Sequence, residues 1–202
     1  MNGPDAIPGP EYVAWAKAQT QALGLSAERA QNPPAERIAQ LASMFHEGQY
    51  LAVTERIRRE LVTYPASFQL LNIAGMALRK LGQFSKATDA FQKVAALLPG
   101  SAAPLNSLGV AFQEEGILRA AARCFERAIE LEPDLAGAHY NLGNLRRDQG
   151  APEEALAAYR RAASLAPKNA EVFNNMANML QDMGQPEEAV ASYEQAVAAC
   201  PD

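Results

Sequence analysis

Apolar residues recur along most of this chain in stretches of about 14 residues at three-and-four spacing, the signature of helices with one buried face. The stretches are separated alternately by a glycine and a proline, and the separators are periodic. Glycine stands at Gly48, Gly82, Gly116, Gly150 and Gly184, and proline at Pro65, Pro99, Pro133, Pro167 and Pro201, each series stepping by 34 residues. A glycine supplies the left-handed backbone that ends one helix, and a proline, which has no N–H, closes the next. The pattern predicts a repeated unit of helix, tight turn and antiparallel helix over residues 34–67, 68–101, 102–135, 136–169 and 170–202. Small residues fall where the two helices of a unit should cross, with Gly75, Gly109, Gly143 and Ala177 opposite Ala87, Ala121, Ala155 and Ala189. Their size lets the helix axes approach closely. Phe91, Phe125, Tyr159 and Tyr193 are then placed to fill the space beyond, and Val94, Ala128, Ala162 and Ala196 to meet the following unit.

The stretches "NLGNLRRDQGAPEEALAAYRRAASLAP" and "NMANMLQDMGQPEEAVASYEQAVAACP", with "LGVAFQEEGILRAAARCFERAIELEP" before them, resemble the tetratricopeptide repeat family, and the resemblance runs from residue 34 to 202. It implies an all-α fold, a right-handed α-solenoid of stacked antiparallel helix pairs, in a bacterial protein; a cytoplasmic location is a separate expectation, from the two isolated cysteines and the want of a signal segment or spanning run. Arg37 and Gln40 stand where the family has apolar residues, Glu60 where it has a small one, and Arg146 where it has an apolar one. The first three suit an atypical end repeat. Ahead of the repeats, Tyr12, Trp15, Ala16 and Leu23 would line one face of a capping helix within residues 11–33, ended by Gly24, and Pro34 suits the first turn of the next helix. Residues 1–10, with three prolines and two glycines, read as a loose tail. At the far end, the face carrying Ala196 and Ala199 lacks a covering helix before Asp202. That favours a fragment of a longer protein, the alternative being self-association through this C-terminal edge.

Charge narrows the partners. A net charge of −5 and a pI near 5.2 supply no basic footprint for nucleic acid or an anionic membrane. The N-terminus has no basic segment followed by an apolar core, so no secretory signal is recognised, and no run approaches the length of a membrane span. Cys124 and Cys200 lack further ligands at metal spacing, so no metal or cofactor is expected. His46 and His139 fall in non-adjacent units, His139 at a packing position. Glu153, Glu154, Glu187 and Glu188 open second helices, where carboxylates complement the helix dipole. No catalytic residue is proposed by any of these.

Function then rests on surface. Counting places from the first residue of each unit, places 2, 5, 6, 9, 12 and 13 of the first helix form one stripe, which should line the concave side of the array. On it lie Asn72, Asn106, Asn141, Asn144, Arg147, Asn175, Asn178 and Gln181, the candidate peptide-binding residues. A carboxamide offers an acceptor and two donors, matching a peptide unit's own N–H and C=O. Asn141 and Asn175, both at place 6, resemble the asparagine ladder of the tetratricopeptide domain of O-linked N-acetylglucosamine transferase, and Asn144 and Asn178 match its place 9. Arg79 and Lys80 with Asn106 do not reproduce the spacing of the carboxylate clamp found in chaperone-binding relatives. The second unit carries four basic residues against one acid, and the fifth carries six acids and no base. The reading is a protein or peptide interaction module. Its alternative is a substrate-recruiting part of a larger glycosyltransferase or sulfotransferase whose catalytic domain lies beyond residue 202.

Overall fold

The computed structural model describes residues 32–199, and Gln21 besides. The expected tail and most of the expected capping helix lie outside the described residues. Among those described there are ten α-helices and no strand: α1 (Ala35–His46), α2 (Tyr50–Thr63), α3 (Phe68–Lys80), α4 (Phe84–Leu97), α5 (Ala102–Glu115), α6 (Leu118–Leu131), α7 (Ala136–Asp148), α8 (Pro152–Leu165), α9 (Ala170–Asp182) and α10 (Pro186–Ala199). The chain divides within α6 into two compact units, Met1–Cys124 and Phe125–Asp202.

The periodic glycines end the odd-numbered helices. All five have positive φ, between 69° and 85°, and the amide after each donates to the carbonyl five residues back, as Gln83 N does to Leu78 O (2.9 Å) and Ala151 N to Arg146 O (2.9 Å). This closure satisfies helix-end carbonyls that would otherwise have no partner. The prolines act one step earlier than a simple stop. Tyr64, Leu98 and Ala166, each preceding a proline, are pushed out of helical backbone to φ near −125° and ψ near 60°, so α2, α4 and α8 end two residues before the proline. Pro34 stands at the N-cap of α1, a position ahead of the first helical turn, with its carbonyl accepting from Arg37 N (2.9 Å).

Close approach inside a pair is set by glycine. A Cβ built on Gly75 would lie 2.7 Å from the Phe91 ring, and one on Gly143 2.7 Å from the ring of Tyr159, so each aromatic rests on the other helix's backbone. Both rings are completely buried. In the first unit the core runs through Leu41, Val53, Ile57, Leu70, Ile73 and Ala77. In the second, Leu156, Tyr159 and Ala163 of α8 pack with Val172, Phe173 and Met176 of α9 and on to Ala189 and Ala196 of α10.

The residues that depart from the repeat pattern compensate one another. Arg37 Nη1 pairs with Glu60 Oε2 at 3.1 Å, and Arg56 Nη2 donates to Gln40 Oε1 at 2.9 Å, so the outer face joining α1 and α2 is polar and internally satisfied. Arg146, on α7, reaches Glu126 Oε1 of α6 at 2.8 Å and Glu154 Oε2 of α8 at 3.0 Å. An arginine is accommodated where an apolar residue is usual because its stem packs while its head meets two carboxylates.

Candidate functional site

Six of the eight candidate residues fall on α7 and α9, the first helices of the two pairs in the second unit. Asn141, Asn144 and Arg147 are on α7, and Asn175, Asn178 and Gln181 on α9. The structure joins part of this set through side chains that the stripe alone does not single out. Tyr140 Oη donates to Glu171 Oε1 at 2.7 Å, Asn175 Nδ2 donates to Tyr140 Oη at 2.8 Å and to Asn144 Oδ1 at 3.3 Å, and Tyr159 Oη donates to Asn144 Oδ1 at 2.8 Å. The tyrosine rings lie 6.1 Å apart at 46°.

The order of donors is forced by chemistry. An ionised carboxylate only accepts, so Tyr140 gives its proton to Glu171 and its oxygen must then accept. The amide of Asn175 therefore presents nitrogen to Tyr140, and its second proton goes to Asn144. With both amide protons directed inward, Asn175 Oδ1 is turned away from the network and has no partner among the described residues. Burial raises both phenol pKa values, that of Tyr159 to about 12, so each hydroxyl stays a donor across the physiological range.

One bond is repeated with the period of the chain. Tyr193 Oη donates to Asn178 Oδ1 in the same relation as Tyr159 to Asn144, a residue 15 places back on the paired helix. Gln181 Oε1 is a second, longer acceptor for Tyr193 at 3.3 Å. The place-9 asparagines thus bond to the tyrosine of their own helix pair. A signal for this is present in the sequence. The two earlier repeats have Phe91 and Phe125 at the tyrosine's place, and Met76 and Val110 at the asparagine's. Asn178, exposed on α9, keeps its Nδ2 without a partner among the described residues.

Asn72 on α3 and Asn106 on α5 belong to the first unit, both half-buried. There Arg79 makes a two-pronged pair with Glu114 at 2.6 and 2.7 Å, which occupies the guanidinium. Arg147 is exposed and bonds Asp148 Oδ1 at 3.1 Å. His139 Nε2 donates to the Pro133 carbonyl at 2.9 Å, a structural bond that fixes its tautomer. Cys124 is fully buried, and that burial pushes its thiol pKa up, away from the reactive thiolate. Among the described residues no three metal-ligating side chains cluster, and no helix is long and apolar enough to cross a membrane.

Sequence profiles match three stretches of the chain: residues 134–202, described as tetratricopeptide repeat, 114–150, described as TPR repeat, and 70–101, again tetratricopeptide repeat. Similar solved structures include MamA, 23% identical with a TM-score of 0.67 over 78% of this chain and 92% of that one. TTC0263, a thermophilic TPR protein of Thermus thermophilus, is 21% identical with a TM-score of 0.70 over 83% and 92%. YrrB, described as a TPR protein with an unusual peptide-binding site, is 19% identical with a TM-score of 0.60 over 93% and 94%. At these identities the structures share the fold with this chain. No curated protein sequence matches it.

Proposed function

Because the chain belongs to the tetratricopeptide repeat family, we propose that it is a protein-interaction module holding an extended peptide by its backbone on the faces of α7 and α9. The observation that carries this reading is the pair of unused amide atoms on α9. Asn175 Oδ1 is an acceptor and Asn178 Nδ2 a donor, one helical turn apart, and both side chains are held in orientation by tyrosines. An extended segment offers an N–H and a C=O of matching polarity along each edge. Because the amides are already oriented, little side-chain entropy is lost on binding. The peptide-binding description of the similar YrrB structure supports the class of ligand.

Glu171, Asp148 and Asp182 on the same stripe, against Arg147, favour a partner segment that is neutral or basic. The test is Asn178→Asp, because a carboxylate still accepts from Tyr193 but has no donor to offer a peptide carbonyl. Binding of peptides selected on the wild-type protein, measured by calorimetry, should weaken about tenfold with melting little changed, as expected for one lost hydrogen bond to a buried carbonyl. Unchanged affinity would remove Asn178 from the site, and with it this reading.

A further inference from the structure

In the first unit, on the side formed by second helices, an open groove of about 420 Å³ lies between α2 and α4 with α3 beneath. Its floor is apolar, with Ile57, Leu71, Ala74 and Ala90 all nearly buried. One residue accounts for its depth. Ala74 stands at place 7 of its repeat, where the three following repeats have Leu108, Leu142 and Met176. Leu108 and Met176 are buried, so this place accommodates a large side chain elsewhere in the array, and alanine leaves that volume open here.

The rim is charged, and its charges are unspent. Arg58 on α2 and Lys86 and Lys93 on α4 face the acids Glu55 and Asp89, so bases are in excess, and none of the five is in an ion pair among the described residues. Lys86 Nζ donates only to the neutral Gln83 Oε1 at 2.9 Å. Leu51 and Val62, 61% and 84% exposed, share the stripe of α2 that carries Glu55 and Arg58, so this wall is apolar towards both ends.

We propose that this groove docks an amphipathic helix of a partner protein, with an apolar stripe seated over Ala74 and acidic side chains on the rim. A helix suits the walls better than an extended strand does. The backbone groups of α2 and α4 are spent within those helices, so nothing there offers a strand the ladder of main-chain bonds that it needs, whereas a docking helix satisfies its own backbone and asks only for apolar and ionic contacts. Spacing supports the same occupant. Lys86 and Lys93 are seven residues apart on one helix, a rise of about 10.5 Å, so two acids seven apart on an aligned partner helix meet both at once. The excess of bases on the rim sets the sign of the partner's charge. The α7 and α9 faces belong to the other unit, so the groove can be tested apart from them.

A displayed library of helical peptides, with leucines fixed at three-and-four spacing and the flanking positions randomised, tests this on the full chain. Selection should enrich aspartate and glutamate beside the leucines, and binding of the selected peptides, followed by fluorescence anisotropy, should weaken at high salt. Ala74→Leu, which gives this place the side chain that Leu108 has, should weaken binding about tenfold to a hundredfold, the worth of one fully buried leucine, with helicity by circular dichroism unchanged. Lys86→Glu with Lys93→Glu, on the rim and without effect on the core, should weaken it about fivefold and recover binding to peptides whose acids are exchanged for lysine. Asn178→Asp should leave it unchanged. Enrichment of lysine and arginine, or peptides that lose affinity in Asn178→Asp and keep it in the groove variants, would overturn the proposal. So would a wild-type chain that selects no peptide, including one that sediments as a dimer, in which a second copy would hold the groove.

Discussion

A single phenolic oxygen decides what stands opposite it in these repeats. Tyr159 is completely buried, and its hydroxyl needs an acceptor there, which Asn144 supplies at 2.8 Å. The asparagine's cost within a helix, roughly half a kcal/mol against alanine, is smaller than that of an unsatisfied buried hydroxyl. Tyr159→Phe should lower stability by about 1 kcal/mol at neutral pH, the usual worth of such a bond. The difference should depend on pH. Burial pushes the Tyr159 pKa from its ordinary value of 10.0 to about 12, so the folded chain keeps a proton that the unfolded chain releases, and this contribution is complete below pH 10 and drains away as pH rises towards 12. Urea denaturation at pH 7, 9 and 10.5 should therefore find the gap between wild type and Tyr159→Phe narrowing at the highest pH. A constant gap would mean that the hydroxyl is not held as a buried donor. The asparagines were visible in the sequence as a row, but their tyrosine partners lie on the paired helix, 15 residues away, and no spacing along one helix reveals them.

At the level of the helix pair, the turn is the most legible element because its chemistry is local. Gly82 has φ of 69° and nothing within 4 Å of where a Cβ would be. Gly82→Ala would thus introduce backbone strain and no clash. The expected loss is about 1 kcal/mol, the left-handed penalty of roughly 1–2 less what alanine gains by restricting the unfolded chain. Gly100→Ala is the control, since that glycine also has open space but no positive φ, and it should be neutral or slightly stabilising. Equal losses at both positions, measured by chemical denaturation, would show that the turn geometry is not what selects glycine. The departures at Arg37, Gln40, Glu60 and Arg146 are less legible. As single letters they look like defects in an apolar pattern, and only the pairing of α1 with α2 and of α7 with α6 and α8 brings each to its partner.

Across the molecule, stability in a repeat protein is close to a sum of each helix pair's own packing and its contacts with its neighbours. In the first unit these are uneven. Of α1 only Leu41 is buried, whereas α3 buries Leu70, Leu71, Ile73, Ala74, Gly75 and Ala77. At about 1.5–3 kcal/mol for each large buried side chain, α3 is held by several kcal/mol more than α1. Native-state hydrogen exchange should find α1 amides opening more readily than those of α3 by tenfold or more, given that about 1.4 kcal/mol is a factor of ten. Comparable protection of the two helices would mean that α1 is held by more than the contacts described.

The period, the helix pairs, the turn glycines and the class of fold are all written in the order of residues, because each rests on backbone conformation and on apolar spacing within a single helix. The amide-rich stripe is legible there too. Which amide atoms are spent and which are left is settled only when the helices pack. The inward protons of Asn175, and the outward oxygen that follows from them, are set by hydrogen bonds between helices, where the Glu171 carboxylate takes the Tyr140 proton and so turns the Asn175 amide, while the acceptors of Asn144 and Asn178 are engaged by the tyrosines of their own helix pairs.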